Sequence, residues 1–492
     1  MRIFRKEEEY TCFRFRMDQS KKAIGFFVSL GILVLGYLLV TTKQIEAFSD
    51  FALLEWQIKL ALQGKFYLPY DSLLQDPNFQ FFPLPDLFFH VHKGFVYSTF
   101  PNFYPIFSAP FYAINEQVGI RFAQFILFFL SIYIFYQIKK DKIATILLLF
   151  GSSISLYIFL IHDTILFFFL EISILFLFHR RWTVFPGILS ICLVWMRPEM
   201  VFSIFLILIF FSKEKNWKKI IITFIVTGFV FSIVNKLTLG TFFPLRLVKS
   251  PKFNFNADTS LFLFKILLEQ IPIFILFIFY LSKAIIRKKK LYQYISLILI
   301  TFLLVLISPN TGGHNTPRYF YGLFPLYILL FRDNGNETTN TKLTNTWGVL
   351  CFILALYQIN LLFQKSKELT KISKYQTNTV QMIRKIKDKV LVFNNSDFSF
   401  VNLPALETLP NSEAQKELLL LRPNFSKKTF IQILSAKNVD SFVFLELPPS
   451  PIPLGLIVSN PNNRKLGEYK KGIQYQLPNA LLPIQITEYK RQ

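Results

Sequence analysis

The chain reads as an α-helical polytopic membrane protein of about 11 spans, with a long first exterior loop and a small exterior α/β domain at its C-terminus. Three observations lead there. Apolar runs of about 17 to 22 residues recur, the length a helix needs to cross ~30 Å of hydrocarbon. Of the 492 residues 52% are hydrophobic and the mean hydropathy is +0.41, more than soluble cores of this size require. Lys and Arg gather in short loops that alternate with loops nearly free of them, as the positive-inside rule demands.

That alternation also accounts for much of the net charge of +24. In a soluble protein such a balance suggests nucleic acid, but here the basic residues form no continuous surface on a folded domain, so no nucleic-acid partner is expected. Cys12, Cys192 and Cys351 are the three cysteines, and the last two fall inside apolar runs. Neither a disulfide framework nor a cysteine metal site can be built from them.

Residues 1–22 form a cytoplasmic tail with seven basic residues, including Arg14, Arg16, Lys21 and Lys22. The first span, near 23–41, lacks a small-residue cleavage site and reads as a retained anchor. It places 43–117 outside, a segment whose only basic residues are Lys43, Lys59, Lys65 and Lys93. Further spans follow near 118–138, 143–160, 164–178, 183–197, 199–212, 220–237, 261–282, 292–308, 319–331 and 344–363. The transmembrane unit is thus 23–363, and 364–492 is a polar exterior domain. In that domain Lys389–Asn394 and Asp440–Leu445 read as strands, and Lys427–Lys437 reads as a helix with Phe430, Ile433 and Leu434 on one face.

Within the first exterior segment, Ser49 to Gln63 reads as an amphipathic helix capped by Ser49 and ended by Gly64. Phe51, Leu54, Ile58 and Ala61 share a face, so this helix is expected along the outer membrane surface. Asp50 at its start is either a cap carboxylate or a reactive acid. His90 and His92 lie on a hairpin turning at Lys93-Gly94, with no third metal ligand nearby. No metal or other cofactor is expected.

Two later loops carry charge at the membrane. Arg197-Pro198-Glu199 sets a charge pair between two apolar runs, which is costly without a partner or an aqueous cavity. Arg197 either holds a phosphate or pairs with Glu199. In Ser308-Pro309-Asn-Thr-Gly-Gly-His314-Asn-Thr-Pro317-Arg318-Tyr319, Gly312 and Gly313 free the backbone while His314 and Arg318 offer donors to an anion. Arg246, in the 238–260 loop, serves phosphate or lipid headgroups. His162-Asp163 and Glu171 stand at or within the fourth span, with pairing and function equally open.

In order and spacing, these features resemble the GT-C superfamily of polytopic glycosyltransferases, in particular the bacterial branch of protein O-mannosyltransferases and aminoarabinose lipid A transferases. Ser49-Asp50 with Leu60-Ala-Leu-Gln-Gly64 carries the resemblance first. Gly94…Tyr97-Ser98-Thr-Phe-Pro101…Ala109-Pro110-Phe-Tyr112, then Gly187…Trp195-Met-Arg197-Pro198-Glu199, and finally Gly312-Gly313-His314…Pro317-Arg318-Tyr319 continue it. The resemblance implies inverting transfer of a sugar from a polyprenyl-phosphate donor to a protein, lipid or polysaccharide acceptor at the outer face of the cytoplasmic membrane. Asp50 would be the general base, and Arg197, Arg318 and His314 would bind the lipid phosphate. Tyr97, Glu199 and Arg246 are supporting candidates. Many members place Glu after the first Asp, whereas Phe51 follows Asp50 here, which leaves Glu46 or Asp86 as candidate second acids. The rival reading is a transporter or flippase for a glycolipid or other amphiphile. Polar groups concentrated in exterior loops rather than at mid-membrane argue against it.

Overall fold

The structure, a computed structural model, describes residues 25–26, 29–34, 36–37, 49–210, 217–249, 256–287, 291–308, 316–335, 341–403, 416–447, 466, 468–476 and 484–492. The described residues of the expected first span are helical. Then come α1 (Asp50–Leu62), the hairpin β1 (Phe89–His92) and β2 (Phe95–Ser98), α2 (Phe103–Lys139), α3 (Lys142–Phe150) and a 3-10 helix (Ser153–Phe159). They are followed by α4 (Thr164–His179), α5 (Val184–Met196), α6 (Met200–Phe210), α7 (Trp217–Leu239), α8 (Leu245–Val248), α9 (Ala257–Gln270) and α10 (Ile273–Arg287). After α11 (Leu291–Ile307), a second 3-10 helix (Arg318–Phe320), α12 (Phe324–Gly335) and α13 (Thr341–Lys385) complete the bundle.

These helices are apolar around most of their circumference, so the bundle has an interior and also an apolar outside. On α7, Ile222, Ile225, Phe229 and Leu237 are all exposed. A helix with that surface is stable only in lipid, and the protein is a multi-pass membrane protein. By length and composition three described helices can cross a bilayer, with a fourth span if α3 and the 3-10 helix bent 57° from it count as one. Four further apolar helices, α4, α5, α6 and α11, are shorter. The count of about 11 therefore remains an expectation drawn from charge and hydropathy.

Several expected spans are interrupted, each for a local reason. Near 143–160 the helix stops at Gly151, whose Cα lies so close to the Leu147 carbonyl that a Cβ would stand 2.3 Å from the oxygen. Between α9 and α10 Pro272 supplies no amide hydrogen, so the run near 261–282 is two helices. In α2, Asn115 and Glu116 leave helical geometry. Asp141 caps α3 by accepting from the amides of Ile143 and Ala144 at 2.9 and 3.2 Å.

The surface-helix expectation for α1 is overturned. Phe51, Leu53, Leu54, Ile58 and Leu60 are buried, and so are Glu55 and Gln57 on other faces, so α1 lies inside the molecule. The polar face that suggested exposure is satisfied internally, with Tyr112 and Gln117 donating to Glu55 at 3.0 and 2.9 Å. Ser49 makes no side-chain cap and turns the chain with φ of 51°.

Beyond the bundle, β3 (Val390–Phe393), α14 (Ser396–Val401), β4 (Glu417–Leu420), α15 (Lys427–Ala436), β5 (Ser441–Glu446), β6 (Tyr469–Gln476) and β7 (Gln485–Arg491) form an α/β unit. Its sheet has the order β4-β3-β5-β7-β6, parallel across the first three strands and antiparallel across the rest. α13 runs unbroken through residue 364, so the change in composition there falls within a helix. The first exterior segment is joined to this sheet. Leu420 donates its amide to the Phe81 carbonyl at 2.9 Å, Phe81 packs against Phe430 at 5.5 Å, and Ser72 bonds Glu417.

Candidate active site

Asp50 is the first residue of α1 and the start of the site. Arg318, on the short 3-10 helix after Pro317, donates from Nη1 to Asp50 Oδ2 at 3.2 Å. Both side chains are largely buried, which strengthens the pair relative to one in water. Among the described residues, Arg318 Nε is buried with no hydrogen-bond partner. An unpaired guanidinium N–H in such a place is costly unless a ligand fills it.

Arg197 leaves α5 as its C-cap, with φ −142° and ψ 95°, because Pro198 cannot continue the helix. Only 1% of its surface is exposed. Nε donates to both carboxylate oxygens of Asp163 at 3.2 and 3.1 Å, and Nη2 also bonds Asp163. Glu199 is a weaker partner at 3.4 Å. The principal acid of Arg197 is thus Asp163 rather than Glu199. Arg246, on α8, approaches the same carboxylate at 3.4 Å and lies over the Phe100 ring at 4.8 Å.

One carboxylate thus holds two guanidiniums. Burial alone raises the Asp163 carboxyl, but the charges of Arg197 and Arg246 outweigh it and keep it well below the usual range. Burial and then repulsion from Arg197 push Arg246 down to about 10, so it remains a cation at neutral pH. His162 is neutral, its ring held well below its ordinary value by burial, which Asp163 opposes and the nearby arginines reinforce. Arg197 Nη2 reaches its Nε2 at 3.2 Å, which makes that nitrogen an acceptor.

Asp50, Arg197, Glu199, Arg246 and Arg318 all line one cavity of about 840 Å³, walled by Phe88, Phe100, Trp195, Phe202 and Tyr319. Five residues from four separated stretches of chain meet there. Asp86 and Tyr97 do not line it. Asp86 has a side chain 76% exposed and pairs with Arg422 at 2.9 Å, so it braces the exterior segment against the C-terminal sheet. Tyr97 lines a second, smaller cavity of about 360 Å³ with Trp195 and Phe231. Glu46 and His314, with Gly312 and Gly313, lie outside the described residues. His90 Nε2 donates to the Leu239 carbonyl at 2.9 Å, and the described residues hold no cluster of three metal-ligating side chains.

Asp163 was the residue that sequence reasoning passed over as a site member. It occupies the N-cap position of α4 yet makes no side-chain cap, since its oxygens are engaged by arginine. The usable signal was the imbalance of charge: two arginines in exterior loops require an acid that Glu199 alone cannot supply.

No protein-family model matches the chain, and no curated protein does. Among solved structures, the crystal structure of ArnT from Cupriavidus metallidurans in the apo state matches with a TM-score of 0.56. The match covers 96% of this chain and 98% of that one, at 7% identity. This chain has the ArnT fold. Because nearly all of both chains is covered, the likeness to ArnT takes in the helical bundle, the exterior hairpin segment and the C-terminal sheet together. At such low identity the ArnT likeness is one of fold.

Proposed function

We propose that the protein is a GT-C-type membrane glycosyltransferase, moving a sugar from a polyprenyl-phosphate donor to an acceptor at the outer face of the cytoplasmic membrane, with its N-terminus inside. One observation carries this reading. Asp50 and Glu199 share one cavity with three guanidiniums, and Arg318 holds Asp50 while its Nε has no partner among the described residues. The ArnT fold supports it, since the aminoarabinose lipid A transferases are GT-C enzymes.

The chemistry then runs as a displacement with inversion. The acceptor hydroxyl oxygen attacks the anomeric carbon, the bond from that carbon to the phosphate oxygen breaks, and Asp50 takes the hydroxyl proton as the new bond forms. The departing polyprenyl phosphate gathers negative charge, which Arg318 and Arg246 stabilise where it develops. Arg197, committed to Asp163 on one edge, lends field to the cavity and keeps Asp163 ionised. The acceptor class stays open between protein, lipid and polysaccharide.

Cells lacking the gene test the reading. Complementation with wild type restores the envelope glycan, while Asp50→Asn leaves it absent and the lipid-linked sugar accumulated. Identical glycans and lipid-linked sugars in all three strains contradict it.

A further inference from the structure

A column of aromatic rings joins the C-terminal unit to the cavity, and it has no duty in the displacement described above. Phe400, on α14, is buried and stacks on Phe88 with ring centroids 4.4 Å apart and planes at 15°. Phe88 stacks in turn on Phe100 at 5.8 Å and 19°. The far member is Arg246, its guanidinium 4.8 Å from the Phe100 centroid. Phe88, Phe100 and Arg246 line the cavity. Phe400 stands outside that lining.

The outer end of the column is fixed. Ser399, the neighbour of Phe400, donates to the Pro83 carbonyl at 2.6 Å, and Gln376 from α13 donates to the Val401 carbonyl at 2.8 Å. The inner end is held more loosely by hydrogen bonds, since Arg246 reaches Asp163 and the Met196 carbonyl only at 3.4 Å each. Stacking and cation–π contacts are directional, so the plane of the Phe100 ring sets where the guanidinium can lie.

We propose that Phe400 is a positioning residue for Arg246, acting through Phe88 and Phe100, so that the C-terminal unit sets one of the cations of the cavity. The functional consequence rests on the phosphate reading given above. A phosphate entering the cavity meets an Arg246 held over the Phe100 ring, with only long 3.4 Å bonds to Asp163 and the Met196 carbonyl to give up. Without the column, Arg246 collapses onto Asp163 and the phosphate loses a partner.

The test uses the full-length protein in lipid nanodiscs with farnesyl phosphate as the probe. Phe400→Leu is expected to weaken binding about tenfold, the scale of one aromatic contact. Phe398→Leu is the control. It makes the same change on the same helix, but its ring packs on Phe393 at 5.3 Å within the C-terminal unit. It should alter binding by less than about twofold, and Phe400→Leu added to Arg246→Ala should cost nothing more. Equal effects of the two leucine variants, or additive losses in the double variant, overturn the proposal.

Hydrogen exchange in α8 supplies a readout without ligand. The amides of Leu247, Val248 and Lys249 bond the Pro244 and Leu245 carbonyls. In Phe400→Leu they should exchange at least about threefold faster, and in Phe398→Leu at the wild-type rate. A wild type that binds no farnesyl phosphate overturns the phosphate reading. Exchange then decides the column alone, with unchanged rates in Phe400→Leu ruling it out.

Discussion

Arg197 and Asp163, 34 residues apart in sequence, are joined by a buried two-pronged ion pair that also draws in Arg246. Breaking such a pair leaves a charge without compensation. Asp163→Asn should destabilise the protein by about 3–5 kcal/mol, seen as a lower melting temperature in detergent. Replacing both partners, Asp163→Asn with Arg197→Met, should recover part of that loss. A double variant as unstable as the sum of its singles contradicts the pairing.

Arg318 has two tasks, one toward Asp50 and one toward the cavity. A lysine carries the charge but has a single donor group and no planar fork. Arg318→Lys should therefore lower transfer kcat/KM by about 10²-fold, as expected when one preorganised donor is lost. Its melting temperature should stay near wild type, since the charge beside Asp50 is kept. Full activity in Arg318→Lys would show that only charge is needed there.

His162 gives the site a pH signature. Its ordinary value is 6.5, and burial, opposed by Asp163, holds it well below that in the folded protein. A group depressed on folding contributes stability that is complete above its unfolded value and is lost as pH falls. The melting temperature should thus drop between about pH 7 and pH 5, and His162→Gln should flatten that drop. Asp163 is depressed too, and its contribution disappears only at lower pH, below about 3.9. A pH dependence identical in His162→Gln and wild type contradicts the buried neutral imidazole.

The sequence made the bundle legible because hydropathy and charge act over whole helices. Most expected spans correspond to helices that begin or end within a few residues of them, and β3, α15 and β5 stand where strand and helix periodicity put them. It misled where the deciding contact is distant. α1 reads as amphipathic, and only the partners that Tyr112 and Gln117 offer Glu55 make its polar face an interior one. Asp86 reads as a candidate acid until Arg422, 336 residues away, claims it. Arg197 is legible as a charge costly between two apolar runs, Asp50 as an acid just after the first span, and Arg246 and Arg318 as loop cations suited to an anion. That Asp163 gathers two of them depends on the fold of α4 against α5, which no local spacing encodes.

In the proposed reaction Asp50 takes the acceptor proton during sugar transfer. Its direct test is the transfer rate of purified Asp50→Asn in proteoliposomes, given a labelled polyprenyl-phosphate sugar and envelope acceptor. The rate should fall by at least about 10³-fold with donor binding kept within a few fold, as removal of a general base requires. Transfer by Asp50→Asn at the wild-type rate would contradict it.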